Sequence, residues 1–73
     1  MHRTHGLARR IRLARERAGF DRQTALAQTL GVDASYVSRW ERGVVVPGAE
    51  SLVSLADATG VTVDWLLTGR EAA

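Results

Sequence analysis

Residues 23–43 read QTALAQTLGVDASYVSRWERG, and the spacing of their apolar residues predicts two short helices joined by a tight turn. The first helix spans residues 22–30, and its inward side is formed by Leu26, Ala27 and Leu30. Gly31 suits a left-handed backbone in the turn, and Asp33 can accept hydrogen bonds from the free amides that follow. The stretch therefore predicts a helix, a turn and a second helix that begins at Ala34.

The second of these helices, residues 34–42, has two chemically different faces. Val37 lies at the centre of the apolar face, with Ala34 and Trp40 about 60° to either side. The opposite face carries Ser35, Ser38, Arg39 and Arg42. Hydroxyl and guanidinium donors on one helix face, directly after a tight turn, suit the major groove of DNA. The alternative is an ordinary amphipathic surface helix.

Outside this stretch, three further helices are predicted, so the chain is expected to be all-α with five helices. The further helices span residues 7–18, 49–58 and 63–67, and Thr62 caps the last. The glycines that close the five segments are Gly19, Gly31, Gly43, Gly60 and Gly69. At the start of the helix over residues 22–30, Asp21 and Arg22 compete for the capping position, and Asp21 is the better acceptor.

The predicted helix over residues 7–18 combines a narrow apolar stripe with many arginines. Its stripe consists of Leu7, Ile11, Ala14 and Ala18. Its arginines are assigned to the rest of the circumference, and they are Arg9, Arg10, Arg12, Arg15 and Arg17. We therefore expect the stripe to lie on the core and the arginines to lie outside it.

Length and composition restrict the class of protein. Seventy-three residues allow one domain, assigned to residues 6–70, with residues 1–5 and 71–73 expected to fray. So short a chain encloses no deep cleft, and no triad or phosphate loop is visible, which argues against an enzyme. The absence of cysteine, of a signal peptide and of an apolar run near roughly 20 residues favours a cytoplasmic protein without a membrane partner. His2 and His5 are weak metal candidates because no carboxylate lies near them, so no metal or cofactor is expected.

Charge is distributed unevenly along the sequence, and all ten strongly basic residues are arginines. Residues 1–42 hold nine arginines and four carboxylates, a net charge of +5, whereas residues 43–73 have a net charge of −3. Arginine pairs with phosphate and guanine in bidentate fashion, so an arginine-only basic half favours a nucleic-acid partner. The alternative is a solvated surface with no ligand.

Residues 23–43 closely resemble the helix-turn-helix of the phage repressor and Cro family, also called Xre-like regulators. The lead-in IRLARERAGF (residues 11–20) and the close GVTVDWLLTG (residues 60–69) are also similar, so the resemblance covers residues 6–70. It implies a compact five-helix lambda-repressor-like domain. It also implies a small transcriptional regulator, a repressor of phage or bacterial type, that binds a two-fold symmetric double-stranded DNA operator as a homodimer and associates with the nucleoid.

The resemblance assigns roles to individual residues. The base-reading positions are Ala34, Ser35, Ser38 and Arg39, of which Arg39 is the best candidate for pairing with guanine. The contacts to the DNA backbone that it implies are Gln23, Arg42 and the amide groups around Gly43 and Val44. Arg22 stands where relatives usually have a capping Ser or Thr, and its side chain is a further candidate for a phosphate contact. Ala34 offers only a methyl group where many relatives place a polar side chain.

An apolar surface supports a second hypothesis of a different class. Its candidate residues are Val44, Val45, Val46, Trp65 and Leu66. They could form the homodimer contact, or they could bind another protein, as an antitoxin-like or anti-repressor module would. Leu66 is a candidate for the core as well as for this surface.

Overall fold

The computed structural model describes residues 6–70, and within them the chain forms five helices and no strand. The helices are α1 (Leu7–Arg17), α2 (Gln23–Leu30), α3 (Ala34–Glu41), α4 (Ala49–Thr59) and α5 (Val63–Thr68). The all-α prediction is confirmed, and every helix lies within one residue of its predicted bounds at each end. The termini expected to fray, and the two histidines, lie outside the described residues.

One apolar core joins the five helices. It is built from the inward residues of every helix: Leu7, Ile11, Ala14, Leu26, Ala27, Val37, Trp40, Leu52, Leu55, Ala56 and Leu66. The stripe predicted for α1 is buried at Leu7, Ile11 and Ala14, whereas Ala18 lies exposed beyond the helix. Because α2 and α3 both pack on this core, the face of α3 opposite its buried residues is exposed to solvent.

The helix ends follow the local chemistry of their capping residues. Asp33 accepts a hydrogen bond from the Ser35 amide at 3.0 Å, and the Thr62 hydroxyl accepts one from the Trp65 amide at 2.9 Å. Both caps were predicted and are confirmed. Gly31 ends α2 with a φ of 72°, in the left-handed region that a side chain rarely adopts.

The cap predicted for α2 at Asp21 is wrong. The N-cap residue is Arg22, whose backbone is extended and whose side chain makes no capping hydrogen bond. Asp21 stands one residue too early, and its carbonyl instead accepts a hydrogen bond from Arg15 at 3.0 Å. The first amides of α2 are therefore not capped by a side chain.

The assignment of Leu66 to a binding surface is also corrected. Its side chain is fully buried in the core, at 0% exposure, because α5 lays it against α1 and α4. The carbonyl of Leu66 accepts a hydrogen bond from Arg10 Nε at 2.8 Å, and that of Leu67 accepts one from Arg10 Nη2 at 3.0 Å. This clamp fixes α5 on α1.

Across residues 6–70, no helix combines the length and the apolar character needed to cross a membrane.

Candidate nucleic-acid interface

The turn between α2 and α3 fixes how the two helices meet. The Val32 amide donates to the Ala27 carbonyl at 3.0 Å, which closes the end of α2 over the turn. Ala27 is buried, and Val37 and Trp40 close the core from α3. The small side chain at position 27 permits close approach of the two helices, so the orientation of α3 is set by packing.

The outward face of α3 brings together the residues predicted to read bases. Ser35 and Arg39 are exposed, and Ala34 and Ser38 are half-buried beside them. Arg42, one residue beyond the helix, is exposed and donates from Nε to the Ser38 hydroxyl at 3.3 Å. One face of one short helix therefore presents two hydroxyls and two guanidinium groups.

The start of α3 adds a negative charge to this face. Hydrogen bonds from Ser35 are the main reason that the pKa of the Asp33 carboxyl is lowered from its ordinary value of 3.8, and the positive charge of Arg39 lowers it further. Asp33 is therefore ionised at neutral pH and stabilises the N-terminus of α3 both as a cap and as a charge.

The start of α2 lies beside the end of α3. Arg22 is exposed, and Gln23 is half-buried, with its Nε2 donating to Glu41 Oε1 at 3.0 Å. Gln23 is thus held in place by α3. The uncapped amides of α2, the exposed Arg22 and the oriented Gln23 form a donor-rich site at a helix N-terminus, which is the type of site that binds anions.

A buried ion pair lies behind this site, and it corrects the expectation that Arg15 lies outside the core. Arg15 is only 5% exposed, and it donates from Nε to Glu41 Oε2 at 2.6 Å and from Nη2 to Glu41 Oε1 at 3.1 Å. Its Nη1 donates to the carbonyls of Phe20 and Asp21. The hydrogen bond with Glu41 raises the pKa of Arg15 above its ordinary value, so the guanidinium stays charged.

The sequence contains a signal for the burial of Arg15. Arg15 follows Ile11 by four residues, so it stands directly beside the apolar stripe of α1. A residue at that position is buried when a partner reaches it. Glu41, at the end of α3, is that partner, and the pair ties α1 to α3 and, through Gln23, to α2.

The backbone amides of Gly43 and Val44 donate hydrogen bonds within the fold. The Gly43 amide donates to the Trp40 carbonyl at 3.2 Å, and the Val44 amide donates to the Arg39 carbonyl at 3.0 Å. These hydrogen bonds close the C-terminal end of α3 around Gly43, whose φ is 74°. Both amides therefore have a carbonyl acceptor within the fold, and their contact with a DNA phosphate stays a prediction.

After α3 the chain exposes the valine segment, which comprises Val44, Val45 and Val46. Their side chains are 62%, 42% and 58% exposed. The following Pro47 is buried, which anchors the segment at its far end. Trp65, the other candidate of the apolar surface, is half-buried and packs against the core from α5.

In the part of the chain that the structure describes, no group of three or more metal-ligating side chains is assembled. The earlier candidates His2 and His5 lie outside that part.

Known proteins match this chain in both sequence and structure. Residues 11–66 match the helix-turn-helix family. The repressor protein C2 of Salmonella phage P22 is 36% identical over 66 residues, covering 90% of this chain and 30% of the repressor. The HTH-type transcriptional activator BcrR of Enterococcus faecalis is 41% identical over 49 residues, covering 67% of this chain and 24% of the activator. The chain thus spans less than a third of the length of these curated relatives.

Solved structures of the P22 c2 repressor are also similar to this chain. The crystal structure of the P22 c2 repressor in complex with a synthetic operator superposes with a TM-score of 0.81 at 36% identity, covering 88% of this chain and 96% of that chain. The solution structure of the P22 c2 DNA-binding domain superposes with a TM-score of 0.79 at 35% identity, covering 90% of this chain and 86% of that chain.

Proposed function

The chain belongs to the helix-turn-helix family, and from that premise we propose that it binds double-stranded DNA in a sequence-specific manner as a small transcriptional regulator. Its proposed mode of action is repression, in the cytoplasm and on the nucleoid. The similarity to a phage repressor whose structure was solved with a synthetic operator supports this proposal.

The observation that carries the proposal is the exposed donor face of α3, formed by Ser35, Ser38 and Arg39. Arg39 is assigned to a guanine, because its fork of N–H donors matches O6 and N7 in the major groove. Each serine hydroxyl can donate or accept a hydrogen bond, with either a base or a phosphate as its partner. Ala34, with only a methyl group to offer, is assigned to the methyl group of a thymine.

Contacts to the DNA backbone are assigned to the two ends of the helix pair. Arg22 and Gln23 stand at the start of α2 with its uncapped amides, and Arg42 stands just after α3. Because the start of α2 lies beside the end of α3, these residues would contact the DNA backbone together and fix the register of the helix pair on the duplex without reading sequence.

The valine segment is assigned to the contact between two copies on the operator. It follows α3 in the chain, so it lies near the proposed DNA face. Its exposed apolar side chains would be buried in the contact between two copies, which favours a homodimer. Trp65 is a second candidate for this contact. Two linked copies read two half-sites about one DNA turn apart, which raises affinity without new base contacts.

The test is selection of binding sites from a random duplex library at about 0.15 M salt, where purely electrostatic binding is already weakened. We expect a two-fold symmetric motif with a guanine at matching positions of the half-sites. The Arg39→Ala variant, selected in parallel, should lose preference for that guanine. Recovery of no motif by the wild-type protein would contradict the proposal and favour a protein-binding module instead.

A further inference from the structure

Tyr36 occupies the exposed side of α3 and is neither a base-reading nor a phosphate-binding candidate. Its side chain is 47% exposed although it is large and aromatic. It precedes Arg39 by three residues, so the two side chains are neighbours on the helix surface. An aromatic residue that stays in solvent beside the main base-reading candidate needs a physical explanation.

The ring of Tyr36 is close to both a core residue and the Arg39 guanidinium. Arg39 Cζ is 5.4 Å from the centroid of the Tyr36 ring, which is the distance of a cation–π contact. The Tyr36 ring also neighbours the Trp40 ring, with 6.3 Å between the ring centroids and 42° between the ring planes. Trp40 is a core residue at 4% exposure. The tyrosine ring is therefore supported by the core and in turn supports the arginine.

Within residues 6–70, the other interaction of Arg39 is the charge attraction of the Asp33 carboxylate, which is not a hydrogen bond. No hydrogen bond from its guanidinium is formed there, whereas Arg42 is held by its hydrogen bond to Ser38. A free arginine side chain has many rotamers, and ordering it when a ligand binds costs conformational entropy. A contact that orders it beforehand removes part of that cost.

The contact with Tyr36 is compatible with base recognition. Arginine stacks on aromatic rings through the plane of its guanidinium and donates hydrogen bonds from the edge of that plane. The two interactions use different parts of the group. The contact with Tyr36 therefore leaves the fork of donors of Arg39 available for guanine O6 and N7.

We propose that Tyr36 is a positioning residue that holds the Arg39 side chain in place for base recognition. This inference rests on the proposed function, since it gives Arg39 a base to read. Tyr36 acts through Arg39 and contributes specificity. Ordering Arg39 in the free protein lowers the entropy cost only of the complex in which Arg39 binds a base.

The first test uses the free protein and no DNA. In the Tyr36→Leu variant an apolar side chain of good helix propensity still covers Trp40, but the ring is gone. Tyr36→Phe is the matched control, because it keeps the ring and removes only the hydroxyl. Proton NMR should show ring-current shifts of the Arg39 side chain in the wild-type and Phe proteins and their loss in the Leu protein. Equal Arg39 shifts in all three proteins would overturn the proposal.

The second test measures specificity on the site that the wild-type protein selects. We expect Tyr36→Leu to lower the ratio of specific to non-specific affinity by about two- to fivefold, the size of an exposed cation–π contact, and Tyr36→Phe to leave it within about twofold. In an Arg39→Ala background, Tyr36→Leu should have no further effect on the ratio, which a merely structural role would not produce. Thermal unfolding of each variant verifies that the fold is retained.

The outcomes separate the two proposals. An unchanged ratio in a folded Tyr36→Leu protein overturns the positioning role and leaves the proposed function standing. A loss that is equally large in the Arg39→Ala background also overturns it, because Tyr36 would then contact DNA directly. If the wild-type protein selects no motif, the proposed function fails and the role in base recognition fails with it, whatever the NMR spectra of the free protein show.

Discussion

Arg15 and Arg39 are the same residue type in two opposite situations. Arg15 is 5% exposed, and its guanidinium is bound on all sides by the Glu41 carboxylate and the carbonyls of Phe20 and Asp21. Arg39 is exposed and rests on the Tyr36 ring. Each side chain is held by the protein, but only Arg39 keeps its donors for a ligand.

The comparison shows that an arginine-rich sequence divides its arginines between two tasks. A buried guanidinium uses its donors to fix the positions of helices, and its partners must satisfy it completely. An exposed guanidinium is useful to a ligand because the protein leaves its donors unsatisfied. Counting arginines therefore identifies a basic protein, and their partners show which guanidinium groups the fold already uses.

The largest expected effect comes from breaking the buried pair. Glu41→Ala leaves the Arg15 guanidinium buried without its carboxylate and should lower the free energy of unfolding by about 3 kcal/mol. Chemical denaturation measures this loss. The matched control is Glu16→Ala, because its ion pair with Arg12 joins side chains that are 48% and 64% exposed. That change should cost no more than about 0.5 kcal/mol, and equal losses would contradict the contrast between buried and exposed pairs.

Arg39→Ala tests the exposed side of the comparison. We expect specific binding to weaken by about 1–3 kcal/mol, with smaller change in non-specific binding and in stability, because Arg39 contacts the proposed base and not the core. Fluorescence anisotropy with the selected site and with a scrambled duplex gives both affinities. A parallel loss on both duplexes would assign Arg39 to the DNA backbone.

Arg42→Ala should have a smaller and less selective effect. Arg42 is assigned to a phosphate, so affinity for both duplexes should fall together, and the slope of log affinity against log salt should decrease by about one. Titrations at several salt concentrations measure the slope. Selective loss on the specific site alone would instead make Arg42 a base-reading residue.

The smallest expected effect is the pH dependence of the Asp33 cap. Because the pKa of Asp33 is lowered in the folded protein, its stabilisation is present above the ordinary value of 3.8 and is lost as the pH falls through the folded-state pKa. The difference in melting temperature between the wild-type protein and Asp33→Ala should therefore shrink in acid. A difference that is the same at about pH 7 and about pH 2 would contradict the role of the ionised carboxylate.

The fold was predictable from the sequence because its signals are local. The glycines that end helices, the caps at Asp33 and Thr62, and the apolar periodicity each act within a few residues, and the structure confirms them. The site was harder, because its supports are long-range. Arg15 and Glu41 are 26 residues apart, and no periodicity within α1 shows that a carboxylate from α3 reaches it.

The prediction for the start of α2 is wrong for the same reason. The cap of α2 was assigned to Asp21 because its acceptor is chemically better, while the actual path of the backbone makes Arg22 the N-cap residue. Chemistry at a single position is readable from sequence, but the partner that it meets depends on the folded backbone.

The Arg10 clamp has a consequence for how the molecule opens. Arg10 joins α1 to α5 by donating to the carbonyls of Leu66 and Leu67, which lie 56 and 57 residues further along the chain. Neither α1 nor α5 is then a loose end that frays independently. Amide hydrogen exchange in the two helices should occur in one cooperative step, with the first and last helices of the described chain forming a single unit.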